Sequence, residues 1–402
     1  MLAPLTPPAA RALLSPSARL LLASALGELD DASVAALPWR DVHWPTLVSL
    51  ATYERAETHL AELLRHAPPG AVPADVAQAM AGISRVAQFR SGEFAVAASV
   101  AVDALAAAAI PVLWLKGAAL AMQRPEGFGV RGMGDLDLLV PAAAQSSARA
   151  ALRSAGWTDA GPGQRYDAHH HDAPMTWRSG LRLELHTGLF PPGHPFAPDD
   201  STGWQARGVP VRWESREVAV LPPAWHLVHA SVHWAWSHEG EVGTWQYVHD
   251  VRLLAKTADL RGGGWEAVRD AAELMGGQVP VAWALWFATR VGALVCPDSM
   301  FAGRHGAGGA LGGLTEREWV IRAWHSPAAS PSVKWSRFWW RRAMGGLGDP
   351  VKAWPWRLGR MVPAAAVTPA AQPDDRSGPA GRRDPVATAQ RWRRHLARVL
   401  GG

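Results

Sequence analysis

The chain has 402 residues, 48% hydrophobic and 19% charged, which excludes a disordered or fibrous protein and leaves room for two or three domains. A net charge of +5 is small for this length and argues against an extended nucleic-acid surface. A single cysteine, Cys296, excludes an intrachain disulfide.

The N-terminus lacks a basic start followed by an unbroken apolar core, so no signal peptide and a cytoplasmic location are expected. Residues 1–108 read as a helical region. In "WPTLVSLATYERAETHLAELLRHA", Leu47, Leu50, Leu60, Leu63 and Leu64 recur at helical spacing, and Pro68-Pro69-Gly70 stops the segment. Two further helices are expected over 73–90 and 91–108. The stretch "FAVAASVAVDALAAAAIPVLWL" (94–115) has the length of a membrane span. Its alanines, the internal Asp103 and the dividing Pro111 point instead to a helix, a turn near Ile110-Pro111 and a short buried strand. No transmembrane segment is expected.

From 109 to 220 the pattern becomes α/β. "PVLWL" (111–115) is strand-like, and "AALAMQ" opens a helix after Gly117. "DLDLLV" (135–140) is a strand. "PAAAQSSARAALRSAG" is a helix with Pro141 near its first turn and Gly156 past its end. "APMTWR" and "LRLELH" form a hairpin turned at Ser179-Gly180. This order predicts a small mixed sheet. Residues 221–300 are helical again, with a turn at Gly262-Gly263-Gly264. A Trp/Arg-rich region (301–362) follows, Gly-rich over 303–314. Residues 363–387 have the composition of a disordered linker, ahead of a basic terminal helix, in a tail spanning 363–402. The fold class is therefore α+β, a small mixed-sheet core between N-terminal and C-terminal helical regions.

The chemistry concentrates in "VRGMGDLDLLV" (130–140). In a strand, residues i and i+2 share a face, so Asp135 and Asp137 project together, about 7 Å apart at Cα. Leu136, Leu138 and Val140 point the other way. Paired carboxylates repel unless a cation lies between them, and hard oxygen ligands suit Mg²⁺ or Mn²⁺. A solvated strand end with two capping aspartates is the alternative. In "LRLELH" the leucines share one face, and Arg182, Glu184 and His186 the other. Glu184 on a neighbouring strand would complete a three-carboxylate site; otherwise this is an ordinary amphipathic edge strand. In "LWLKGAAL", Gly117 would let a phosphate approach backbone N–H groups, and Lys116 would add a point charge. The plainer account is a snorkelling lysine. Paired aspartates also occur in nucleotide-sugar glycosyltransferases, but there the apolar strand precedes the pair; here it follows.

Together "IPVLWLKGAAL", "VRGMGDLDLLVP" and "HHHDAPMTWRSGLRLELHTGL" resemble the uncharacterised nucleotidyltransferase family of the DNA polymerase β-like superfamily. The downstream "HLVHASVHWAWSH", "WQYVHDVRLLAK" and "GWEAVRDAAELMGG" are weaker points of similarity, and the likeness covers roughly residues 40–300. The resemblance implies a nucleotidyltransferase core flanked by helices. It implies that Asp135, Asp137 and Glu184 are catalytic metal ligands and that Gly117 shapes a triphosphate loop. The superfamily commonly has Gly-Ser or Gly-Gly where this chain has Gly117-Ala118, which shifts weight onto Lys116 and Arg131. Arg131 is expected either on a phosphate or in a surface salt bridge.

The implied reaction is two-metal transfer of a nucleoside monophosphate from an NTP, with ATP the expected donor and Mg²⁺ or Mn²⁺ the cofactor, the ions about 4 Å apart. Glu184 would also take the acceptor proton. The acceptor, a small molecule, peptide or protein, and the oligomeric state are not legible in the sequence. The competing expectation is an inactive descendant that binds nucleotide or a partner.

His169, His170 and His171 are candidates for the acceptor cleft, and zinc is disfavoured because adjacent residues of a strand alternate faces. His226, His229 and His233 share a helical face and read as core or cleft lining, with Asp250 a partner for one of them. Most of the 22 tryptophans are expected in the core. "RFWWRRAM" and "KAWPWRLGRM" read as Arg-rich segments packed by their tryptophans.

Overall fold

A computed structural model describes residues 5–159, 173–190, 201–238, 240, 242–257, 260, 264–301, 316–321 and 323–324. The expectations for His169 to His171, for Gly262-Gly263, for the loop at 303–314 and for the whole chain after 324 lie outside the described residues. The segments α1 (Pro7–Ala12), α2 (Pro16–Leu26), α3 (Asp31–Ala35), α4 (Trp44–Tyr53) and α5 (Glu57–Arg65) open the fold. Serine and threonine caps start α1 and α2, each followed by proline in the first turn.

One 34-residue helix, α6 (Ala74–Ala107), replaces the two expected over 73–90 and 91–108. The expected boundary between 90 and 91 lies beside Gly92, where a side chain would meet nothing within 4 Å. An exposed helical glycine costs only about 1 kcal/mol, and burial of Phe94, Ala97, Ala98, Ala101 and Leu105 in the second half outweighs it. Among the described residues no helix is long and apolar enough to cross a membrane. The 94–115 stretch divides as read. Its helix ends at Ala107, the chain turns through Ala109 with φ +54°, and strand β1 (Leu113–Trp114) follows.

The remaining elements are α7 (Lys116–Met122), β2 (Asp135–Leu139), α8 (Gln145–Ser154), β3 (Thr158–Asp159), β4 (Met175–Thr176), β5 (Arg182–His186), α9 (Ser201–Gln205), β6 (Val209–Trp213) and β7 (Arg216–Val220). Helices α10 (Pro223–Val232), α11 (Thr244–Leu254), α12 (Trp265–Leu274) and α13 (Gln278–Val291) follow.

The sheet is mixed, in the order β3-β4-β5-β2-β1-β7-β6. Strands β1 and β2 are antiparallel, while β2/β5 and β1/β7 are parallel. The β6–β7 hairpin was not expected. Its turn at Glu214-Ser215 carries no glycine or asparagine, although Glu214 has φ +54°. Buried side chains from Leu5 to Trp324 form one continuous cluster, so both helical regions pack on the sheet through a shared core. Trp114, Trp157, Trp245, Trp283 and Trp286 are among its largest fully buried members.

Candidate active site

Strand β2 separates packing from chemistry. Leu136, Leu138 and Val140 are wholly buried in the core, and Asp135 and Asp137 face the other way. The parallel register sets Asp137 beside Glu184 and Leu139 beside His186. A one-residue slip of either strand would turn its polar row into the core, so the leucines Leu183 and Leu185 lock the register. The result is a polar row on two adjacent strands.

That row forms one wall of a cavity of about 410 Å³. The expected metal and phosphate residues Lys116, Gly117, Arg131, Asp135, Asp137 and Glu184 all line it. The other wall comes from α10, α11 and the π-helical turn His233–Ser237, an irregularity often found at functional sites. Helix α11 also pins the loop before β2. Gln246 donates to the Gly132 carbonyl at 3.0 Å, and the His249 ring contacts the Val130 carbonyl at 3.0 Å.

Asp137 is the electrostatic centre. Lys116 Nζ donates to its Oδ1 at 2.7 Å, and His186 Nε2 lies 2.8 Å from the same oxygen. Burial pushes its carboxyl up, but the Lys116 charge and the His186 contact outweigh burial and hold it well below the usual carboxylate range. Asp135 goes the other way, raised by burial and then by the Asp137 charge. Burial, Asp137 and Asp135 push Glu184 up to about 7. Burial disfavours the Lys116 ammonium, yet Asp137 and Asp135 hold its pKa above the ordinary value. The lysine therefore stands as a cation among carboxylates.

Asp137, Glu184 and His186 each offer a ligand atom, and these atoms all lie within 4.8 Å of one another. This trio differs from the expected Asp135, Asp137 and Glu184. Asp135 lies outside the tight cluster but is close enough to raise Glu184 and to be raised in turn by Asp137. His186 was visible on the polar face of "LRLELH", two residues past Glu184, the spacing that already pairs the aspartates.

Arg131 lines the cavity and is buried, so its salt bridge lies inside the fold and not on the surface. Its Nε lies 2.8 Å from Asp250 Oδ1, with both side chains buried. Asp250 thus pairs with an arginine and not with a histidine of α10. A Cβ at Gly117 would fall 2.7 Å from Arg131 Nη2, so a side chain there would have to displace the packed guanidinium.

His226 and His229 are fully buried cleft residues. Neither ring nitrogen of His229 hydrogen-bonds a described residue. Burial pushes His226 down to about 4, and burial with the Lys116 charge takes His229 well below its usual value, so both are neutral at pH 7. His233 and His238, the latter just past the π-helical turn, approach Nε2 to Nε2 at 2.9 Å.

Sequence reasoning missed Arg55, contributed by the turn between α4 and α5, which lines the cavity beside Gly134 and Asp135. No local signal marks it.

The family model described as "Uncharacterised nucleotidyltransferase" matches residues 40–292, a span that holds every one of these groups. No curated protein and no solved structure matches.

Proposed function

The chain belongs to the uncharacterised nucleotidyltransferase family, and from that premise we propose that its cleft transfers a nucleoside monophosphate from an NTP, ATP by expectation, to a small-molecule, peptide or protein acceptor. The observation that carries this reading is the row Asp135, Asp137, Glu184 on two registered parallel strands, facing a cavity inside the matched span.

The donor set fits a divalent cation. It offers hard carboxylate oxygens and one imidazole, and a lysine ammonium already sits among them. Asp137, Glu184 and His186 would hold the ion, with Asp135 available to a second. Bound Mg²⁺ or Mn²⁺ would supply charge neutralisation on the phosphates.

The chain's own groups account for the rest. The acceptor oxygen attacks the α-phosphorus, the bond from that phosphorus to the bridging oxygen breaks, and pyrophosphate leaves with the electron pair. Glu184, on the acceptor side of the row, takes the acceptor proton. Buried His229, neutral and with no hydrogen-bond partner among the described residues, offers a hydrogen bond to an uncharged acceptor group. Tyr247 and Trp234, stacked at 4.4 Å, form an apolar floor on that side.

Incubation with each labelled NTP and Mg²⁺ or Mn²⁺ tests the reading through pyrophosphate release and label on an added acceptor pool. The grip of Lys116 on Asp137, with Ala118 in place of serine, favours the second reading of nucleotide binding without transfer. Saturable nucleotide binding with no pyrophosphate from any NTP would select it.

A further inference from the structure

Two glycines, Gly132 and Gly134, precede the paired aspartates. A Cβ at Gly134 would lie 2.4 Å from Arg55 Nη2 and 2.5 Å from its Cζ and Nη1. A Cβ at Gly132 would lie 2.4 Å from the Arg55 carbonyl oxygen. The two glycines therefore form a trough in which Arg55 rests, its backbone over one and its guanidinium over the other.

Arg55 is held there from behind. Its backbone has φ +56°, a conformation side-chain-bearing residues rarely adopt. The preceding Glu54 is buried, and its carboxylate accepts the Trp245 backbone N–H at 2.9 Å in the first turn of α11. The chain at 54–55 is thus anchored to the helix that also pins the Gly132 carbonyl.

Among the described residues, the arginines and lysines that line the cavity are Arg55, Lys116 and Arg131. Lys116 is paired with Asp137 and Arg131 with Asp250. The Arg55 guanidinium, exposed at the cavity, makes no hydrogen bond or salt bridge with a described residue and feels Asp135 only at longer range. A planar fork of N–H donors, pre-placed on a glycine trough and unpaired, is built for a phosphate.

We propose that Arg55 binds the β,γ-phosphates of the incoming nucleotide and so selects triphosphates over monophosphates. The inference rests on the nucleotidyltransferase reading. It gives the cleft a direction, with phosphates at the Asp135 end and the acceptor toward Glu184 and His229. When the bridging bond breaks, the charge left on pyrophosphate stays beside the Arg55 fork.

The test is calorimetric binding of α,β-methylene-ATP and of AMP, with Mg²⁺, to the full chain and to Arg55→Ala, Arg55→Lys and Gly134→Ala. Arg55→Ala should lose about 10- to 100-fold in affinity for the triphosphate analogue and leave AMP within about twofold. Arg55→Lys should recover part of the loss and also serves as the control for folding. Gly134→Ala, which displaces the fork, should reproduce the selective loss and add nothing to Arg55→Ala. Equal losses for both ligands, or an unchanged triphosphate affinity, would overturn the assignment while nucleotide binding by the parent stands. A parent that binds neither ligand overturns the nucleotidyltransferase reading as well.

Discussion

Lys116 Nζ sits 2.7 Å from Asp137 Oδ1, and the same lysine is drawn toward Asp135 and Glu184. An ammonium thus occupies the electrostatic seat that a divalent cation would share. The repulsion expected among three bare carboxylates is relieved at Asp137 by the chain itself, while Asp135 and Glu184 still feel it.

Removing that ammonium should therefore cost stability in the absence of metal. Lys116→Met leaves Asp137 buried with His186 as its remaining close partner, a loss of about 3 kcal/mol. Because the vacated seat is negative, Mn²⁺ or Mg²⁺ should stabilise the variant more than the parent. Thermal melts with EDTA and with each cation check both halves. A variant as stable as the parent in EDTA would show that the pair is incidental.

Asp137→Asn should destabilise the metal-free protein, because it strands the Lys116 charge in a buried site. Simple repulsion between carboxylates predicts the opposite sign. The variant should also lose the stabilisation given by Mg²⁺ plus NTP, and turnover should fall by roughly 10²- to 10³-fold or more. Paired melts and pyrophosphate release measure these effects separately.

The imidazole of His186 in the ligand cluster should shape metal choice. Nitrogen donors favour Mn²⁺ over Mg²⁺, which prefers oxygen and water. His186→Ala should weaken Mn²⁺ binding by roughly tenfold and Mg²⁺ binding much less. Titration of both ions by calorimetry decides it, and equal losses for the two would remove His186 from the ligand set.

Glu54 predicts a pH effect away from the carboxylate row. Burial pushes its carboxyl up to about 7 from an ordinary 4.5, against the pull of the Trp245 backbone N–H. The folded value exceeds the unfolded one, so the contribution is fully present below pH 4.5 and is lost as pH rises through about 7. Glu54→Gln keeps an acceptor for Trp245 and removes the titration. At pH 8 it should be more stable than the parent by up to about 3 kcal/mol, and the gap should close by pH 4.5. Urea melts across that range give the curve, and a gap independent of pH would contradict it.

Local pattern carried the polar row a long way. Period-two alternation in "DLDLLV" and "LRLELH" put Asp135 with Asp137, and Glu184 with His186, on the face opposite Leu136, Leu138, Leu183 and Leu185, because successive residues of a strand alternate faces. The turn near Ile110-Pro111 and the Gly180 hairpin were legible for the same reason, since each depends on residues next to one another, whereas the helix expected to open after Gly117 begins at Lys116 and takes that glycine in. The unbroken α6 was not, since packing of its second half overrides a local glycine.

The sequence by itself determined which residue types share a strand face, and its motifs pointed to the family whose model matches residues 40–292. Only the tertiary structure decided how those charges are balanced. Lys116 meets Asp137, Arg131 meets Asp250, and Arg55 reaches Gly134 from a different region of the chain, and none of these pairings has a signature in spacing. Pairing energies fall steeply with distance and rise with burial, so they are set by which surfaces the shared core brings together.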